Sequence, residues 1–173
     1  HLEVAKLGNS LQILHCVFFP DPCFDIPIFG VDLVIGSKNI SAAIIDLSPV
    51  GKKLPEYILS QLDLVNISQF KEPRTLPDWG YIFSEYVCFV RPVNLTEEKL
   101  LIRLIDDYLS ILLSFLILVK PDDPKSLATS DRFEYQKRYC FNQRRNDKTR
   151  TILTRFFGSS WADQYIDEIL FDC

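Results

Sequence analysis

The chain has 173 residues, a length typical of one domain, and a formal net charge of −4. With 47% apolar residues, 13 Phe and 7 Tyr, the composition excludes an intrinsically disordered chain, and the net negative charge argues against a nucleic-acid-binding protein. The two His and five Cys show no spacing typical of a structural zinc site, so we expect no metal.

Four segments are predicted to be strands. Residues 11–19 are rich in β-formers, and residues 20–27, with three Pro and two Asp, are predicted to form a loop. The later strands are predicted over 28–35, 40–47 and 81–91. Short strands with few helical residues between them favour an antiparallel sheet.

Helices are predicted over 54–65, 96–119, 126–142, 145–157 and 160–170. The fourth stops at Gly158, a residue type common at helix ends. The last carries Trp161, Tyr165 and Ile169 on one face. The most apolar run, 108–119, is shorter than the roughly 20 residues that a bilayer requires, so we expect a buried helix and no membrane association. Strands followed by helices indicate an α+β sandwich.

Positive charge is concentrated in residues 132–155, which contain eight Lys and Arg against two acidic residues. The rest of the chain therefore carries a net charge of −10. A basic segment on an acidic protein suits an anionic ligand or an acidic partner protein. The alternative is a solvated helix face without a ligand.

Two ionisable side chains interrupt apolar strands. His15 and Asp32 each lie between hydrophobic neighbours, where an unpaired ionisable group costs several kcal/mol. Such groups often have shifted pKa values that suit acid–base catalysis. The alternative is a satisfied core histidine and an aspartate at a strand edge. Gly30 would let a ligand approach the backbone closely, or it marks a bulge.

Further candidates lie at the two ends of the chain. Glu3 is a third carboxylate, and residues 146–150 open a helix with an N-cap residue and basic groups, a pattern that suits a carboxylate ligand or an ordinary capped helix. The sequence contains no GxGxxG after a strand, no P-loop and no GxSxG. A redox enzyme of this sequence would therefore receive its electrons from elsewhere.

Together these segments resemble the ferredoxin-dependent bilin reductases. The resemblance is carried by six blocks in the family's order: 1–22 (HLEVAKLGNSLQILHCVFFPDP), 26–34 (IPIFGVDLV), 40–50 (ISAAIIDLSPV), 72–92 (EPRTLPDWGYIFSEYVCFVRP), 139–150 (YCFNQRRNDKTR) and 161–172 (WADQYIDEILFD). The family's N-terminal portion has no counterpart here, and the sequence has no Met. We therefore expect residues 1–173 to be the C-terminal portion of a single bilin reductase domain.

The resemblance implies a three-layer α/β/α sandwich with a central, mostly antiparallel sheet. Biliverdin IXα would bind between the sheet and the C-terminal helices, without a bound metal or flavin. An external [2Fe-2S] ferredoxin would supply single electrons, and the enzyme would supply protons to bilin radicals. The resemblance also implies a monomer in a cyanobacterial cytoplasm or a plastid stroma.

The family pattern assigns roles to ten residues. Asp32, His15, Glu3 and His1 match its catalytic positions. The positions lining the pigment or its propionates are Asn146, Asp147, Lys148, Gln143, Arg74 and Ser41. The pairing of His15 with Glu3 favours four-electron reduction to phycocyanobilin, with Glu3 as proton donor near the D-ring vinyl group. The alternatives are a sister reductase that makes dihydrobiliverdin or phycoerythrobilin, and a bilin-binding protein without turnover.

Overall fold

A five-stranded antiparallel sheet forms the centre of the fold. The computed structural model describes residues 1–8 and 10–171, so Cys173, one of the five cysteines, lies outside the described residues. The strands pair in the order β1-β2-β3-β4-β5. Their bounds are Leu2–Leu7 (β1), Leu11–Phe18 (β2), Ile28–Ile35 (β3), Ile40–Ser48 (β4) and Cys88–Val90 (β5).

Five α-helices are present among the described residues: one lies between β4 and β5, and four follow β5. Their bounds are Glu56–Leu62 (α1), Leu95–Leu116 (α2), Leu127–Gln143 (α3), Asp147–Phe157 (α4) and Ser159–Tyr165 (α5). The α2 helix begins where the Asn94 side chain accepts a hydrogen bond from the Glu97 N–H, and α4 ends at Gly158, whose φ is 88°. A π-helical turn, Ile166–Leu170, continues α5.

One face of the sheet packs against α1 and α2. Because side chains alternate along a strand, one set of residues from each strand points to this side. Val31 and Ile45 belong to the same buried cluster as Ile58 of α1 and Leu101 and Tyr108 of α2. This cluster is the larger of the two hydrophobic cores.

The opposite face packs against α3, α4 and α5. Val17 and Ile28 of the sheet share a second buried cluster with Tyr139, Leu153 and Ile166 of the helices. The predicted α+β class and the three-layer α/β/α arrangement are therefore confirmed. Within residues 1–8 and 10–171, no helix is long and apolar enough to cross a membrane.

The sequence prediction missed β1 and was wrong at two further elements. Residues 81–91 do not form a strand over most of their length, because Gly80–Ile82 is a 3₁₀ turn and only Cys88–Val90 pairs with β4. The N–H of Ser84 donates to the Asp46 carboxylate instead of a sheet ladder (N···Oδ2 2.9 Å). The last helix also buries Ala162 and Ile166, whereas Ile169 is 51% exposed.

Asp46 is a buried carboxylate on β4. Its oxygens accept hydrogen bonds from the Ser48 hydroxyl (2.5 Å), the Ser84 hydroxyl (2.5 Å) and the Ser84 N–H. Burial raises the pKa of Asp46 from 3.8 to about 6, although these hydrogen bonds favour the ionised form. The folded state therefore binds the Asp46 proton more tightly than the unfolded chain does, and ionisation destabilises the fold.

We expect Asp46→Asn to change how stability depends on pH. As the pH rises from about 4 to about 7, Asp46 ionises and the wild type should lose about 2 kcal/mol relative to the variant. Denaturant unfolding at several pH values measures this difference. The exposed Asp78→Asn is the matched control. A wild-type-to-variant difference that does not change with pH would contradict the prediction.

Candidate active site

Three ionisable side chains lie in one row across the sheet. The antiparallel register pairs Glu3 of β1 with His15 of β2, and His15 with Asp32 of β3. The row continues through Ile44 of β4 to Phe89 of β5. Directly paired residues point to the same face, so residues distant in sequence meet on the side of α4 and α5.

His15 and Asp32 form a hydrogen-bonded pair between Nδ1 and Oδ1. The side chain of His15 is 13% exposed, whereas that of Asp32 is 40% exposed. The Nε2 atom of His15 is buried and has no hydrogen-bond partner within the described part of the chain. A buried polar atom without a partner is costly, so any bound group that formed a hydrogen bond with Nε2 would lower that cost.

Two opposing effects act on the His15 imidazole. Burial disfavours its charged form, but the charge and hydrogen bond of Asp32, together with the charge of Glu3, outweigh burial and raise the pKa of His15. The edge of Phe171 contacts the ring, with 5.9 Å between centroids. The contacts with Asp32 and Phe171 thus fix the orientation of the His15 ring, and the raised pKa favours its protonated form.

Glu3 has contacts on its own strand and on α5. The Tyr165 hydroxyl donates to Glu3 Oε2 (2.5 Å), and His1 Nε2 lies 3.6 Å from the same oxygen. The His1 and His15 rings are 5.5 Å apart between centroids. These contacts connect His1, Glu3, His15 and Asp32, the four predicted catalytic residues.

A cavity of about 600 Å³ lies between this face of the sheet and the C-terminal helices. Its size is within the range of small-molecule sites. Glu3, His15 and Asp32 contribute its ionisable floor. Its aromatic wall consists of Trp79, Phe83, Phe89, Phe157, Trp161, Tyr165 and Phe171. A flat, conjugated ligand with a few polar groups suits this lining.

The N-terminus of α4 faces the same cavity. Asn146 Oδ1 accepts hydrogen bonds from the N–H groups of Lys148 (3.2 Å) and Thr149 (3.4 Å), which caps the helix. Asn146, Asp147, Lys148 and Arg145 line the cavity. The positive end of the helix dipole and two cations therefore lie where a ligand carboxylate could bind.

The Gln143 side chain is held in place by a hydrogen bond to Tyr139, one turn earlier in α3. Its side-chain amide donates to the Tyr139 hydroxyl (2.9 Å), and both residues are buried. A Cβ atom at Gly30 would lie 3.3 Å from that hydroxyl. Gly30 pairs regularly with Val17 and Asp46, so it is not a bulge, and the group that approaches its backbone closely is Tyr139.

The structure brings most of the predicted site residues to one cavity. Its lining includes Asp32, His15, Glu3, Asn146, Asp147, Lys148 and Gln143. His1, Arg74 and Ser41 do not line it. Arg74 donates to the Ser41 carbonyl oxygen (2.9 Å), and its guanidinium lies 5.9 Å from the centre of the Phe89 ring at the cavity wall.

Tyr165 and the aromatic wall were missing from the predicted site. The i, i+4 spacing of Trp161 and Tyr165 indicated a shared helix face, but not a contact with a residue 162 positions away. No local sequence signal marks Phe171, which reaches His15 from beyond the π-helical turn.

Relatives of this chain come from cyanobacteria. It is 52% identical over 172 residues to a phycocyanobilin:ferredoxin oxidoreductase of Prochlorococcus marinus (strain MIT 9313), covering 99% of this chain and 65% of that protein. It is 49% identical to the protein of the same name from Synechococcus sp. (strain CC9902), with 99% and 70% covered. The chain thus spans about two thirds of the length of these relatives.

The fold is shared with a solved structure. A crystal structure of tomato phytochromobilin synthase in complex with biliverdin matches with a TM-score of 0.83 and 20% sequence identity, over 99% of this chain and 64% of that one. The sequence profile of the ferredoxin-dependent bilin reductases matches residues 1–172. The chain therefore belongs to the ferredoxin-dependent bilin reductase family.

Proposed function

We propose that this chain carries the active site of a reductase that converts biliverdin IXα to phycocyanobilin with electrons from ferredoxin. One observation carries the proposal: the Glu3–His15–Asp32 row lines a cavity of about 600 Å³, and the buried Nε2 of His15 has no hydrogen-bond partner among the described residues. Relatives that are about 50% identical bear the name of this enzyme.

The cavity supplies two kinds of contact for a linear tetrapyrrole. Its aromatic wall packs against the conjugated rings, which favours binding by burial of apolar surface. The α4 N-terminus, with Lys148 and Arg145 beside it, binds a propionate carboxylate. Asn146, Asp147 and Gln143 meet the polar edges of the pigment, and Arg74 and Ser41 support the wall near Phe89.

Proton supply follows from the row of ionisable groups. Reduction of biliverdin to phycocyanobilin adds four electrons and four protons, so each electron taken up by the pigment is matched by one proton. Asp32 hydrogen-bonds the pyrrole lactam region of the pigment and donates a proton to it, and His15, which is hydrogen-bonded to Asp32, acts with it in this protonation. Glu3 protonates the D-ring vinyl group, and His1 connects Glu3 with His15.

Electrons come one at a time from an external reduced [2Fe-2S] ferredoxin, and the pigment passes through radical states. The basic segment 132–155 is the candidate docking region for this acidic partner. Arg132, Lys137, Arg144 and Arg150 form ion pairs with acidic residues of this chain. Arg138 and Arg155 have no ion pair within the described residues and are the cations most available to a partner.

The direct test is anaerobic turnover of biliverdin IXα with reduced ferredoxin, with products separated by chromatography. We expect phycocyanobilin from the wild type. Asp32→Asn should bind the pigment but reduce it at least about 100-fold more slowly, because its proton donor is lost. Normal turnover by Asp32→Asn would contradict the assignment. Phycoerythrobilin from the wild type would indicate a sister reductase, and binding without reduction would indicate a carrier.

Glu3→Gln should separate the two halves of the reaction. The amide keeps the size of the side chain but cannot donate a catalytic proton. We expect the variant to add two electrons and to leave the D-ring exovinyl group unreduced. Chromatography of the products measures this, with Glu85→Gln, at an exposed residue outside both the cavity and the segment 132–155, as the control. Formation of phycocyanobilin at the wild-type rate would refute the role of Glu3.

Asp32→Asn should also lower the pKa of His15. The substitution removes the charge and the charged hydrogen-bond acceptor that raise this pKa, whereas the effect of burial remains. An NMR titration can follow both histidines, since the chain contains only His1 and His15. Asp147→Asn removes a carboxylate from another wall of the cavity and should leave the pKa of His15 unchanged. An equal or higher pKa in Asp32→Asn would contradict this account.

A further inference from the structure

Tyr165, the last residue of α5, forms a hydrogen bond with one residue of the Glu3–His15–Asp32 row. Its hydroxyl donates to Glu3 Oε2 at 2.5 Å, across 162 residues of sequence. Both side chains line the cavity. The contact connects the C-terminal helical segment with β1.

The Tyr165 ring is fixed by its surroundings. It stacks on Trp161 with 4.6 Å between centroids and an angle of 11° between the planes. The π-helical turn begins directly after Tyr165. Arg144 Nε donates a hydrogen bond to the carbonyl oxygen of Phe171, the residue that follows this turn (3.0 Å). Arg150 pairs with Asp163 on the same segment. These contacts hold the end of α5 and the π-helical turn in place, and so fix the position of the Tyr165 hydroxyl relative to Glu3.

The Tyr165 hydroxyl acts as a donor in this contact. Burial, together with the hydrogen bond to the Glu3 carboxylate and its charge, raises the pKa of Tyr165 above its ordinary range, so the phenol keeps its proton. The charged or titratable groups that face Glu3 are His1, which precedes β1, His15 on β2 and Tyr165 on α5. Asp32 lies one strand further along the row.

The two oxygens of Glu3 are thereby made different. Tyr165 and His1 both approach Oε2, whereas Oε1 has no hydrogen-bond partner among residues 1–8 and 10–171. When the carboxyl is protonated, a donor at Oε2 favours the carbonyl form of that oxygen and places the acidic proton on Oε1. Oε1 is then the oxygen that can deliver the proton to a ligand in the cavity.

We propose that Tyr165 is a positioning residue that orients the Glu3 carboxyl for proton delivery from Oε1. The proposal rests on the function proposed above, in which Glu3 protonates the D-ring vinyl group. Tyr165 keeps its own proton throughout, and the transferred proton comes from Glu3. Without the hydroxyl, the carboxyl can rotate and the acidic proton can reside on either oxygen.

Tyr165→Phe tests this role because it removes only the hydroxyl. We expect biliverdin affinity within about threefold of the wild type, but a Glu3-dependent reduction slowed about tenfold or more, with accumulation of the two-electron product. The control is Tyr57→Phe, since Tyr57 packs against Phe115 in the other core.

The same product ratio and the same rate of the Glu3-dependent step in Tyr165→Phe, Tyr57→Phe and the wild type would overturn the proposal. A loss of all reduction together with a loss of pigment binding would also count against it, since it would show a structural role for the hydroxyl.

A measurement without turnover separates this proposal from the proposed function. Infrared difference spectra between acidic and neutral pH contain the carbonyl band of the protonated Glu3, which can be assigned by its absence in Glu3→Gln. Because a donated hydrogen bond weakens the carbonyl bond, Tyr165→Phe should move the band to higher frequency. An unmoved band would refute the contact, even in a protein that reduces biliverdin, and a shifted band would support it in a protein that does not.

Discussion

The hydrogen bond between His15 and Asp32 is the constraint on which the rest of the site depends. An imidazole that is 13% exposed is disfavoured in its charged form unless an anion lies beside it. Asp32 supplies that anion from the neighbouring strand, and the sheet register holds the two residues directly opposite each other. Nε2 of His15 is buried and has no hydrogen-bond partner in the part of the chain that the structure describes, so a ligand that formed a hydrogen bond with Nε2 would be bound more tightly.

The two faces of the sheet divide structural and chemical roles. The face against α1 and α2 is apolar and forms the larger core, whereas the other face carries the ionisable row and the cavity. On this second side, the helices pack against the sheet around residues such as Val17 and Ile166. The cavity lies beside this cluster, and α4 and the π-helical turn complete its walls.

Much of this arrangement was predictable because its signals are local. β-Branched runs marked β2, β3 and β4, and capping and apolar periodicity marked the long helices. His15 and Asp32 stood out because polar side chains interrupt apolar strands. The segment 81–91 was mispredicted because its apolar composition is that of a strand, while the Ser84 backbone bonds to Asp46. Tyr165 and Phe171 were missed because their contacts depend on tertiary packing, which no spacing in the sequence reports.

The pairing of strands also makes the cavity floor a regular grid. Adjacent strands lie about 4.8 Å apart, and every second residue along a strand returns to the same face. The row next to the ionisable one contains Ala5, Ile13, Val34 and Ala42. All four side chains are apolar and line the same cavity. The backbone hydrogen bonds of the sheet fix the distance between this row and the acidic side chains. In the proposed reaction, the position at which the pigment is protonated depends on which of these positions carries an acid, so replacing one side chain would change that position and leave the backbone unchanged.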